Sequence, residues 1–168
     1  MPHDPCMTRL PVEIRPARPK DAAEIARIHV QAWQESYRGL LPDDLLARQD
    51  VSARQKIWEQ ALEQGQTRIV IAPGAGFAQL GPQREAEFAA DWPLELWAMY
   101  LLDDAKRRGI GRALWAALAP QKPMTCCVLI TNLPAIAFYE AIGGRRLLTR
   151  DEEIAGTPIR EHVNGFAP

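Results

Sequence analysis

Four cations fall within seven residues of the stretch KRRGIGRALWAAL, Lys106 to Leu118, where a glycine turn opens a helix. A helix N-terminus carries roughly half a positive charge, so cations there are ordinarily unfavourable. Lys106, Arg107, Arg108 and Arg112 surround Gly109 and Gly111 at that end. An anion bearing several charges would make sense of them. Glycines let backbone N–H groups approach a ligand, the helix dipole adds to them, and basic side chains supply charge-assisted bonds. A pyrophosphate is the natural guest. The plainer alternative is a set of solvated surface cations, partly offset by Asp103 and Asp104. The density of charge favours an anion site.

Two anion-binding classes fail on their own residues. A Walker loop needs a Lys-Ser/Thr pair after its last glycine, and none follows Gly111. A dinucleotide fingerprint needs a third glycine where Leu114 stands and an acidic residue about 20 positions later, but residues 128–133 read VLITNL.

The elements that must position this turn can be read from periodicity. Val12 to Ala17 alternates as a first strand. Asp21 and Glu24 form a capping-box-like start for a helix to about Arg38, with Ile25, Ile28 and Ala32 on one face. A short helix is expected with Pro42 in its first turn. Another runs from Ser52 as N-cap to Gly65 as stop. Residues 67–81 read as a hairpin, and 82–93 give no clear signal. Leu94 to Leu102 is apolar on both faces and is expected to be central. After the glycine turn and its helix, Met124 to Ile130 is a second buried strand. Asn132 caps a helix to about Ile142, and an antiparallel pair joined near Gly156 closes the chain. This order predicts an α/β or α+β fold around one mixed sheet.

The 168 residues are enough for one domain with a substantial core. We expect a flexible lead-in over 1–11 and a single domain over 12–168. The net charge of -1 leaves no global basic field for nucleic acid or an anionic membrane surface, so an anion site must be local. No apolar run is long enough for a membrane helix, and the N-terminus has no signal-peptide core. Three cysteines make no disulfide framework, which suits a cytoplasmic location. The three histidines show no metal-ligand spacing, so no metal is expected. Cys126 and Cys127, adjacent in an apolar strand, read as small buried hydrophobes.

KRRGIGRAL closely resembles the acyl-CoA-binding loop of the GNAT superfamily of N-acetyltransferases, Gln/Arg-x-x-Gly-x-Gly/Ala. Lys106 departs from the pattern at its first position; Gly109 and Gly111 match. TNLPAIAFYEAIGGR resembles the superfamily's Asn-x-x-Ala-x-x-Phe-Tyr-x-x-x-Gly block through Asn132, Ala135, Phe138, Tyr139 and Gly143. The resemblance spans about residues 12–165 and is weakest at 73–93. It implies a mixed, mostly antiparallel sheet of about seven strands flanked by about four helices, with two splayed parallel strands at its centre, here 94–102 and 124–131. It implies acetyl-CoA as cosubstrate, with Met99, Tyr100 and Leu101 beside the thioester end. Lys106, Arg107, Arg108, Gly109, Ile110, Gly111 and Arg112 would take the pyrophosphate, and Asn132 would approach the pantetheine arm.

Acetyl transfer to an amine must remove a proton from the amine, stabilise an oxyanion and accommodate the leaving thiolate. Tyr139 matches the tyrosine that often points at the CoA sulfur. Glu95 stands where some members activate the amine, usually through water; its alternative is an exposed or arginine-paired acid at the start of a strand. Trp33 and Tyr37, four apart, lie in the segment that often borders the acceptor pocket, and core packing suits them equally. The expected function is N-acetyl transfer in a ternary complex to a small-molecule amine or a peptide N-terminus. A homodimer is possible on the superfamily's pattern. A non-catalytic acyl-CoA sensor and a transferase with another acyl donor remain the rival readings.

Overall fold

The computed structural model describes residues 12–168; the expected lead-in, with His3, Cys6 and Met7, lies outside the described residues. Within the described residues, seven strands form one sheet: β1 (Arg15–Pro16), β2 (Arg68–Ala72), β3 (Gly76–Pro82), β4 (Leu94–Leu101), β5 (Met124–Leu129), β6 (Arg145–Ile154) and β7 (Thr157–Phe166). Their order is β1-β2-β3-β4-β5-β7-β6, which puts β4 in the middle. Among the described residues, five α-helices accompany it: α1 (Ala22–Tyr37), α2 (Asp43–Ala47), α3 (Val51–Gln64), α4 (Ile110–Leu118) and α5 (Leu133–Ala141). The core joins Ile25 and Ile28 of α1, Ile71 and Phe77 of the β2–β3 hairpin, and Leu114 and Leu118 of α4, all fully buried.

Three local expectations are corrected. The first strand is shorter than Val12 to Ala17. Pro16 has no N–H to donate, and a 3-10 turn begins at Pro19, so the ladder with β2 holds two residue pairs and ends on the Ala17 N–H, which donates to the Ile69 carbonyl at 2.9 Å. Asp21 makes no capping bond to α1. Its carboxylate instead forks onto the Arg15 guanidinium at 2.7 and 2.9 Å and accepts from the Arg18 N–H at 2.7 Å. Glu24 accepts from the Gly74 N–H of the hairpin turn at 2.8 Å. The cap of α3 is Asp50, which accepts from the Ser52 N–H at 2.9 Å; aspartate caps as well as serine and stands two residues earlier. Gly65 stops α3 in the left-handed region, as its position implied.

One irregularity governs everything that follows. Every ladder in the sheet is antiparallel except β4 with β5, and that parallel pairing lasts for two residue pairs, Leu94↔Met124 and Glu95↔Thr125. Beyond Glu95 the strands part, and the rest of β4 has no partner on that side.

Candidate active site

The gap between the parted strands is a cavity of about 730 Å³, lined by β4 from Leu96 to Leu101, by Cys126 to Val128 of β5, and by α5. Its far end is the glycine turn. Gly109 has φ +77°, and a Cβ there would meet open space, so glycine serves that position through its backbone. Arg107 is also left-handed, at φ 59°. These two reversals set the turn at the start of α4, whose first amides have no intrahelical partner. Lys106, Arg107, Gly109, Gly111 and Arg112 line the cavity. Lys106 Nζ is held 2.8 Å from Asp103 and donates to Ser36 Oγ at 3.3 Å. Arg108 is exposed and reaches back to the Asp104 carbonyl, and Ile110 is buried in the core.

Gly111 has a second role. A Cβ there would stand 3.1 Å from the Phe138 ring and 3.4 Å from Leu101. Its bare face therefore lets α4 pack closely on α5 and β4, beside whatever access it gives a ligand.

Met99, Tyr100 and Leu101 line the same cavity, as do Asn132 and Tyr139. Asn132 also caps α5, accepting from the Ala135 N–H at 3.4 Å. Tyr139 is 8% exposed, and burial lifts its phenol well above the ordinary value, so it remains a proton donor at neutral pH. The turn after α5 closes on it: the Gly144 N–H donates to the Tyr139 carbonyl at 2.8 Å. Tyr37 reaches the cavity wall from the last turn of α1. Trp33 meets it edge-on at 5.2 Å and packs with Leu41, Leu45 and Leu46. His29 stacks on Tyr100 at 4.9 Å and accepts from Trp58 Nε1 at 3.1 Å through Nδ1. Burial, with Arg54 nearby, lowers its pKa to about 3, so the ring is neutral and supports the wall.

Glu95 lies elsewhere. It is on the wall of a second cavity, of about 420 Å³, which shares Leu96, Trp97 and Cys127 with the first. Its carboxylate is buried and paired with Arg84: Nη2 donates to Oε1 at 2.6 Å and Nε to Oε2 at 3.0 Å. Arg150 crosses the same cavity and forks onto Glu85 at 2.6 and 2.7 Å while donating to Glu161 at 2.9 Å. Sequence reading left 82–93 without an element, and it missed both arginines. Their partners are 11 and 65 residues away, and no periodic signal joins them. Cys127, expected to be buried, is exposed and lies between the two cavities, where β5 keeps β7 on one side but β4 has parted from it on the other.

A central strand parted from its parallel neighbour, with a cationic glycine turn at the end of the gap, is the arrangement that the sequence resemblance implied. The chain belongs to the acetyltransferase (GNAT) family, whose model matches residues 22–143. It is 32% identical over 158 residues to an uncharacterized N-acetyltransferase of Bacillus subtilis, YuaI, covering 89% of this chain and 90% of that one. It is 30% identical over 141 residues to a probable N-acetyltransferase of Mycobacterium tuberculosis, Rv2775, with 77% of each chain covered. The fold is shared with YncA, a putative acetyltransferase from Salmonella typhimurium solved with its cofactor acetyl-CoA. The TM-score is 0.69 at 18% identity, over 92% of both chains.

Proposed function

We propose that this chain transfers an acetyl group from acetyl-CoA directly to a primary amine while both are bound. The observation that carries the reading is the meeting of two cavities at Leu96, Trp97 and Cys127, one ending in the cationic turn and the other walled by carboxylates. The first fits the donor. The unpaired stretch of β4 offers N–H and C=O groups to an amide-bearing arm, and Lys106, Arg107, Arg112 and the first amides of α4 fit a diphosphate. The second fits the acceptor. An amine arrives as an ammonium ion, and five carboxylates stand there against two guanidinium groups.

The amine nitrogen attacks the thioester carbonyl carbon, a tetrahedral oxyanion forms, the C–S bond breaks, and the thiolate takes a proton. Tyr139, which lines the donor cavity, assists by donating a hydrogen bond to the departing thiolate; burial makes its phenol a weaker acid than the thiol, so the proton itself comes from solvent. Glu95 accepts the amine's proton through water. A backbone N–H of β4 serves the oxyanion, because its ladder partner is missing.

The test is release of free CoA thiol from acetyl-CoA with n-butylamine, 1,4-diaminobutane and a peptide beginning in alanine. Amine-dependent release, with acetylated amine found by mass spectrometry, supports the reading. Tight acetyl-CoA binding with no release for any amine would favour the sensor reading.

A further inference from the structure

We propose that Arg84 is the residue that positions Glu95 for the acceptor, through a clamp that residues 83–85 place on the apex of the strand splay. The inference rests on the reading of Glu95 given above. Glu95 and Thr125 face each other in the last parallel pair before β4 and β5 separate. Adjacent residues of one loop hold both members of that pair. Gln83 Nε2 donates to Thr125 Oγ1 at 2.8 Å, on β5. Arg84 holds Glu95, on β4, with three donors: Nη2 on Oε1, and Nε together with its own backbone N–H, at 3.1 Å, on Oε2. Gln83 Oε1 then takes the Glu85 N–H at 3.2 Å, which fastens the loop to itself.

The lone pairs decide what this arrangement can do. A carboxylate has about four acceptor sites. Two donors occupy Oε2 and one occupies Oε1, so a single site on Oε1 remains for an amine or a water. A planar fork fixes the carboxylate plane, and with it that one site; a lysine would supply a point charge with no fork. The Arg84 guanidinium also lies 4.4 Å from the centre of the Trp97 ring, on the wall that both cavities share. Arg84 thus sets the orientation of the acid and of its neighbouring wall without itself exchanging a proton.

The test is a double-mutant cycle in the full chain, using acetyl-CoA with the most active amine of the three named above. Arg84→Lys keeps the charge and loses the fork; Arg84→Gln loses both and leaves a buried carboxylate unpaired, so its folding is checked by urea unfolding. Arg84→Lys should lower kcat about tenfold, with the KM for acetyl-CoA within about twofold of the parent. Glu95→Gln should lower kcat about a hundredfold, in the range of a positioned acid or base. In the Glu95→Gln background, Arg84→Lys should have no further effect, because Arg84 acts through Glu95. Unchanged kcat in Arg84→Lys, or losses that multiply in the double variant, would overturn the inference and leave the role of Glu95 standing. Unchanged kcat in Glu95→Gln would remove that role and the inference with it. A chain that turns over none of the three amines overturns both.

Discussion

Tyr139 and Cys127 border the same gap and carry protons that burial makes hard to remove, yet only one of them has a use for its proton. A buried phenol that stays protonated can give a hydrogen bond to a developing thiolate. Tyr139→Phe is expected to keep its acetyl-CoA affinity, read by calorimetry, and to lose about ten- to a hundredfold in kcat. Equal turnover would leave Tyr139 as packing. Cys127 is exposed, but the surrounding protein and the nearby Glu161 push its thiol up to about 12. Its thiolate is scarce, so iodoacetamide at about pH 8 should label the Cys127 peptide roughly 10- to 100-fold more slowly in the folded protein than in urea. Tyr139, Asn132 and the glycine turn were legible in the sequence because each belongs to a short local pattern. Arg84 and Arg150 were not, because their meaning depends on carboxylates that only the folded sheet brings to them.

Most helices and strands were legible from periodicity, and the misses fall at their ends, where near-equivalent polar residues compete. Asp50 displaced Ser52 as a cap, and Asp21 left its helix for Arg15. That second exchange has a measurable consequence. The Arg15 guanidinium, followed by the Arg18 N–H, holds the Asp21 carboxyl down to about 2, against the pull of burial. A carboxylate whose folded pKa is depressed stabilises the fold above its unfolded value and loses that contribution as pH falls through the folded one. Asp21 is thus expected to contribute about 2 kcal/mol at neutral pH, lost between about pH 4 and pH 2. Asp21→Asn should flatten that part of the acid-unfolding curve followed by circular dichroism. At the α4–α5 contact, Gly111→Leu would force a side chain against Phe138 and Leu101. A loss of about 1–3 kcal/mol in urea unfolding is expected. The sequence showed a glycine needed for close approach; it could not show that the approaching body is a phenylalanine as well as a ligand.

Across the whole molecule, donor binding and stability are linked, because the donor cavity draws its walls from β4, β5, α1, α4 and α5. Acetyl-CoA at a hundred times its dissociation constant should add about 2.7 kcal/mol and raise the melting temperature by roughly 5–10 °C. NADH and ATP should not match it. No rise with acetyl-CoA would mean that the donor site is lost and that family membership here records ancestry. The two hairpins were legible from their turns and the splayed central pair through the resemblance, but the place of β7 between β5 and β6 was legible in neither, since local patterns do not say which distant strand becomes a neighbour. The two-pair parallel ladder has a further consequence. A strand at the middle of a sheet here has an open edge, the feature that elsewhere recruits foreign chains into aggregates. Proteins usually blunt such an edge at their margin with charge or a covering loop. In this fold it lines a cavity that α4 and α5 also wall, which admits a slender arm but not the broad face of another protein's sheet.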